Sequence, residues 1–144
     1  MSEETVKTLL ALFEIWAAGT DTWHEAQEAW RRGDADMSLF DQEVIYEDAN
    51  LPDHAGETYH GHAGVLRAAE RWVEPFEWLQ IEFEQIIDGG DRLVSTHRWR
   101  AKAAQSGIEF ETPLAYVWTF RVGKIIHFRS FLDLTQALKA VGLA

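Results

Sequence analysis

The feature that most constrains this chain is a series of four strand-like segments joined by very short breaks. Leu79 to Ile87 alternates apolar and polar residues and stops at Asp88-Gly89-Gly90. Leu93 to Ala103 and Ile108 to Val122 flank Gln105-Ser106-Gly107, and Lys124 to Leu132 follows Val122-Gly123. Breaks of two to five residues join antiparallel neighbours, because a parallel pair needs a crossover of a dozen residues or more. The spacing therefore predicts an antiparallel sheet over residues 79–133, one face of which lines a small-molecule pocket.

Helical patterns precede it. Val6, Leu9, Leu10, Phe13 and Trp16 recur at helical spacing over 3–18, with Gly19 as a stop. Thr20 and Asp21 resemble a cap for a second helix near 23–32, closed by Gly33, and 34–40 suits a short third one. Val44 to Asp48 then reads as a strand, 50–56 as turn chemistry, and Thr58 to His60 as a brief strand. A helix over 63–73 ends before Pro75, and another closes the chain over 134–141. Helices first and antiparallel strands afterwards predict an α+β fold.

Composition excludes several classes. At 144 residues with 47% hydrophobic residues, the chain can bury a core as one domain. A net charge of −11 repels nucleic acid and anionic lipid, so neither is an expected partner. No apolar run is long enough to span a membrane, and the acidic start, Met-Ser-Glu-Glu, does not read as a signal peptide. The absence of cysteine excludes disulfides and thiolate metal sites and fits a reducing cytoplasm, the expected location.

Pairing decides which residues share a face. A two-residue turn at Val122-Gly123 sets Arg121 opposite Lys124. Counted onward, Ala115 faces Ser130 and Val117 faces Phe128, while Tyr116 meets Arg129 and Trp118 meets His127. The hairpin before it has two solutions. A four-residue loop at 104–107 pairs Lys102 with Glu109 and Arg100 with Glu111, a charge match worth only about 0.2–1 kcal/mol per pair. A three-residue loop at 105–107 pairs His97 with Ala115 and Trp99 with Pro113. The second is preferred, because it keeps Arg98, Arg100 and Lys102 off the pocket face. On these pairings the small residues Ala115, Val117 and Ser130 form the pocket floor. The Tyr116, Trp118, His127 and Arg129 face then needs a cover; a second copy of the chain is the simplest one, and a helix of the same chain is the alternative.

Several words along the chain carry a resemblance. They are Tyr46-Glu47-Asp48, Tyr59-His60-Gly61-His62-Ala63-Gly64-Val65, Asp88-Gly89-Gly90-Asp91-Arg92, Thr112 to Thr119, and Phe128-Arg129-Ser130-Phe131-Leu132-Asp133. Over about residues 40–143 the chain resembles the SnoaL-like polyketide cyclases of the nuclear transport factor 2-like superfamily. The resemblance implies a cone-shaped fold, with helices packed on a strongly curved, mostly antiparallel sheet and a pocket between them. It also implies one domain over 1–144, with a helical insertion near 20–33, and a homodimer that meets through the sheet.

Asp48 is the sharpest candidate for chemistry. In position, and in the Glu47 before it, it resembles the general base of ketosteroid isomerase. A carboxylate beside an apolar cavity has its pKa raised toward a useful range. The ordinary alternative is a capping Asp before Asn50. The isomerase's other groups are missing, since its tyrosine falls near Leu12 or Ala26 and its aspartate at Ala115. The aspartates of limonene epoxide hydrolase fall at Arg100 and Ser130, and the acid that related cyclases carry on the last strand also falls at Ser130. His97, if inward, is a candidate proton partner for Asp48. Tyr46, Trp99, Ala115, Val117, Phe128 and Ser130 are candidate ligand contacts. His60-x-His62 lacks a matching carboxylate, so no metal is expected, and no cofactor either. Trp23, Trp30, Trp72 and Trp78 read as core or pocket wall. The expectation is an isomerase, cyclase or dehydratase acting on an apolar cyclic or carbonyl compound. The alternatives are a ligand-binding dimer without catalysis, or a dimer module whose cavity is filled by its own side chains.

Overall fold

The computed structural model describes residues 3–17, 37–48 and 57–143, together with Glu25 and Glu28. The predicted helix near 23–32, the insertion and the turn at 50–56 lie wholly or largely outside these. Among the described residues, the elements that can be bounded are three helices and six strands. They are α1 (Glu3–Ala17), β1 (Phe40–Asp48), β2 (Glu57–His60), α2 (Gly61–Val73), β3 (Phe76–Asp88), β4 (Arg92–Ala103), β5 (Glu109–Arg121), β6 (Lys124–Phe131) and α3 (Leu134–Ala140). The strands form one curved sheet in the order β2-β1-β6-β5-β4-β3. Every neighbouring pair is antiparallel except β1 with β6, which run parallel. The predicted α+β class and the antiparallel run 79–133 are therefore present. Of the short helix expected over 34–40, only 37–40 are described, and they are not helical: Ser38 and Leu39 form a turn and Phe40 already belongs to β1.

Local chemistry explains the boundaries. Gly61 opens α2 with a φ of +68°, a region that disfavours residues with a Cβ. Asp133 caps α3, its Oδ1 accepting the Thr135 N–H at 2.9 Å. The β5–β6 turn places Val122 and Gly123 at φ of 50° and 76°, a type I′ geometry that matches strand twist. Arg121 pairs with Lys124, as expected.

Beyond that turn the register differs from the expected one. Phe120 pairs with Ile125 but Thr119 pairs with His127, so Ile126 is an extra residue in β6. This β-bulge moves every later pair by one, bringing Ser130 opposite Tyr116 and Phe128 opposite Trp118. The β4–β5 hairpin takes the four-residue loop, with Lys102 opposite Glu109 and His97 opposite Leu114. Both expected pairings of β5 are thus off by one residue, in opposite directions along the strand, and each by itself exchanges the faces. The odd-numbered residues of β4 keep their inward direction, while the two faces of β5 exchange places.

The sheet's inner face holds Leu93, Ser95, His97, Trp99, Leu114, Tyr116, Trp118, Phe128 and Ser130, and α1 and α2 cover it. Phe13 of α1 meets Phe83, His97 and Trp118, and Trp72 of α2 lies against Trp99. Val94, Ala115, Val117 and Phe131 form a smaller cluster on the outer face with Ala137 of α3. The predicted dimer face therefore does not form as one surface. Tyr116 and Trp118 are buried inside, while His127 and Arg129 lie outside. The aromatic side found its cover within the chain, and α3 covers the small one. Arg98, Arg100 and Lys102 stand on the outer face with Glu82, Glu84, Glu111 and Glu77.

Candidate functional site

Asp48 ends β1, the strand parallel to β6, and its side chain turns inward. It is 1% exposed. Ser130, its pairing partner on β6, donates from Oγ to Asp48 Oδ1 at 3.2 Å. Trp72 reaches down from α2 and donates its Nε1–H to Asp48 Oδ2 at 3.2 Å. Tyr46, two residues earlier on the same face, donates to Ser130 Oγ at 3.1 Å. The Tyr116 hydroxyl is hydrogen-bonded to Tyr46 in turn. A directional chain results, from Tyr116 through Tyr46 and Ser130 to the carboxylate. Burial raises the pKa of both tyrosines, and the nearby Asp48 charge raises them further. Both are therefore neutral donors at ordinary pH.

Aromatic rings enclose this polar line. Phe128 stacks on Tyr46 at 4.4 Å and on Trp118 at 5.0 Å. Tyr116 lies 5.2 Å from Trp118. Such a surrounding strengthens each hydrogen bond within it.

His97 faces the interior but occupies a different part of it. The strand order sets β6 and β5 between β1 and β4, so His97 stands three strands from Asp48, with Tyr116 between them. Trp118 Nε1–H donates to Ser95 Oγ at 2.8 Å, and Ser95 Oγ lies 2.7 Å from His97 Nε2. A Ser95 hydroxyl that accepts from the indole keeps both its proton and a second lone pair, so the His97 tautomer decides which of the two donates in this contact. Burial pushes the His97 pKa down to about 3, so the ring is neutral at ordinary pH.

Of the other candidate residues, Tyr46, Trp99, Phe128 and Ser130 share the inner face with Asp48. Ala115 and Val117 do not, since the shifted register turns them toward α3. Ala115 instead lines a groove of about 360 Å³ at the β3 bulge, beside Gln85, Thr96, Pro113 and Leu134. His62 Nε2 is 2.9 Å from the Phe40 carbonyl oxygen, a contact that ties the start of α2 to β1. Two site residues escaped the sequence reading. Trp72 was read as wall, although an indole on the buried side of a helix needs an acceptor. Tyr116 was assigned outward by the register, and no local signal corrects that.

Comparison with known proteins agrees with this architecture. The model of the SnoaL-like domain matches residues 23–128. A protein assigned as a SnoaL-like polyketide cyclase, from Jannaschia sp. CCS1, superposes with a TM-score of 0.69 at 21% identity, covering 100% of this chain and 97% of its own. A nuclear transport factor 2-like protein of unknown function from Burkholderia pseudomallei gives 0.63 at 22% identity, with 99% of each chain covered. A protein of ketosteroid isomerase-like fold from Catenulispora acidiphila, crystallised with trimethylamine, gives 0.61 at 20% identity, covering 87% of this chain and 95% of its own. At these identities the likeness establishes the fold. No functionally curated protein matches the chain. Among the described residues, no helix is long and apolar enough to cross a membrane. The family match spans most of the chain and the superpositions extend across it, so the chain belongs to the SnoaL-like domain family.

Proposed function

We propose that this chain binds an apolar, cyclic, carbonyl-bearing small molecule and that Asp48 acts on it as a general base. The observation that carries the reading is the carboxylate itself, buried at 1% exposure and held by Ser130 and Trp72 among aromatic rings. Burying a carboxylate is costly unless it is hydrogen-bonded, and a carboxylate in such a setting is a frequent catalytic base. Asp48 would take a proton from the carbon next to a carbonyl. The C–H electron pair becomes the new C=C bond, and the carbonyl π pair moves onto oxygen. Return of the proton at another carbon is isomerisation, loss of a neighbouring hydroxide is dehydration, and attack on a second carbonyl closes a ring. The polyketide cyclase assignment of one structural relative is consistent with this class. His97, neutral and three strands away, serves in this reading as interior wall.

A specific observation favours a second reading, a binding protein without catalysis. Both Asp48 oxygens already accept a hydrogen bond, so the carboxylate is satisfied without a substrate. Incubation with 1-tetralone in D2O separates the two. The base reading expects deuterium at the carbon beside the carbonyl, followed by NMR, faster than in buffer and lost in Asp48→Asn. Binding of the ketone with exchange no faster than in buffer would establish the second reading.

A further inference from the structure

Trp99, on the inner face of β4, is 5% exposed, and its Nε1–H has no acceptor among the described residues. Buried donors in folded proteins are nearly always paired, so each exception calls for a reason. The rings around it belong to Trp72 at 4.6 Å, Phe110 at 5.1 Å and Phe76 at 5.7 Å, and none of these offers an oxygen. Trp72, the ring nearest to Trp99, is also the one whose own Nε1–H is donated to Asp48. An unused donor therefore stands one ring away from the buried carboxylate.

The geometry points to Trp99 Nε1–H as the group that holds the ligand's acceptor oxygen, with the ligand's apolar body against Trp72, Phe76 and Phe110. This deepens, and rests on, the reading of Asp48 as base. As the proton passes to Asp48 and the carbonyl π pair moves onto oxygen, the charge develops at the atom this donor holds. The hydrogen bond then strengthens toward the transition state, as at an oxyanion hole. An indole N–H only donates, so the ligand must present an acceptor there. A hydrocarbon of the same shape leaves Trp99 unpaired and is selected against.

Protein labelled with 15N in its indoles tests this, with 1-tetralone and its acceptor-free analogue tetralin as probes. The Trp99 signal is identified by its loss in Trp99→Phe. It is expected to move downfield with tetralone and to stay in place with tetralin. Trp99→Phe, which keeps an aromatic ring, is expected to weaken tetralone binding about tenfold and leave tetralin unchanged. If tetralone binds while the Trp99 signal stays still, or if Trp99→Phe keeps the full preference for the ketone, the inference is overturned. The N–H would then be directed at the ring of Phe76 or Phe110, both of which cross the indole near a right angle. If Asp48→Asn keeps both the Trp99 shift and the wild-type rate of exchange, the base reading falls and the Trp99 contact stands. If neither compound binds at millimolar concentration, both fall together.

Discussion

Tyr116 and Val117 are consecutive residues on β5, yet they belong to opposite faces of the sheet and to different kinds of packing. Tyr116 enters a dense aromatic interior in which Tyr46, Ser130 and Trp72 engage specific partners and Asp48 anchors the line. Val117 joins a small apolar cluster under α3, beside rows of half-exposed ion pairs. The inner face combines aromatic burial with polar groups that cannot be left unsatisfied, so changes there carry a high energetic cost. The outer face combines modest apolar burial with charges that water also solvates, so changes there cost little. The proposed role of Asp48 rests on the inner face of that contrast.

The contrast is open to measurement, and the largest effect belongs to the interior. Trp118 is 0% exposed, stacks on Phe128 and donates to Ser95. Trp118→Ala is expected to lower stability by about 3–5 kcal/mol in chemical denaturation. A loss under 1 kcal/mol would mean the interior is not packed as described.

Acid sensitivity comes next. The folded pKa of His97, about 3, lies below its ordinary value of 6.5, so the unfolded chain takes up the proton first as pH falls. The stability of the neutral ring is fully present above pH 6.5 and is lost between there and pH 3, at about 1.4 kcal/mol per pH unit. Denaturation at pH 7.0 and 5.0 should show a markedly smaller acid loss in His97→Gln than in the wild type. Parallel curves would place the ring in water.

Val117→Ala should remove about 1.6 kcal/mol, the transfer value of two buried carbons. It should leave tetralone binding unchanged, whereas weaker binding would return Val117 to the ligand side. The smallest effect is expected at Arg100, which pairs with Glu82 and Glu111 on the outer face. Arg100→Ala should cost about 0.2–1 kcal/mol, and less in high salt.

Asp48, Tyr46, Phe128 and Ser130 could be read as inward from the chain, whereas His97 and Trp99 are read inward through a β4–β5 pairing that the structure replaces, and they face the interior because β5 turns over as well. Ala115 and Val117 could not, nor could Tyr116. Their direction depends on how β5 lines up with its neighbours. The extra residue at Ile126 shifts that alignment without leaving a Gly or Pro to announce it.

The sequence by itself determined the strands, most of their turns, the α+β class and the family. Each of these depends on neighbours within a few residues or on words preserved along the chain. Only the tertiary structure decided which side of β5 faces the helices, what covers the aromatic face, and that Trp72 and Tyr116 belong to the Asp48 site. In a sheet the side-chain period is two residues, so a single bulge reverses a face. The choice between the two alignments is made by packing against α1, α2 and α3, a comparison of buried surfaces that exists only once the chain has folded.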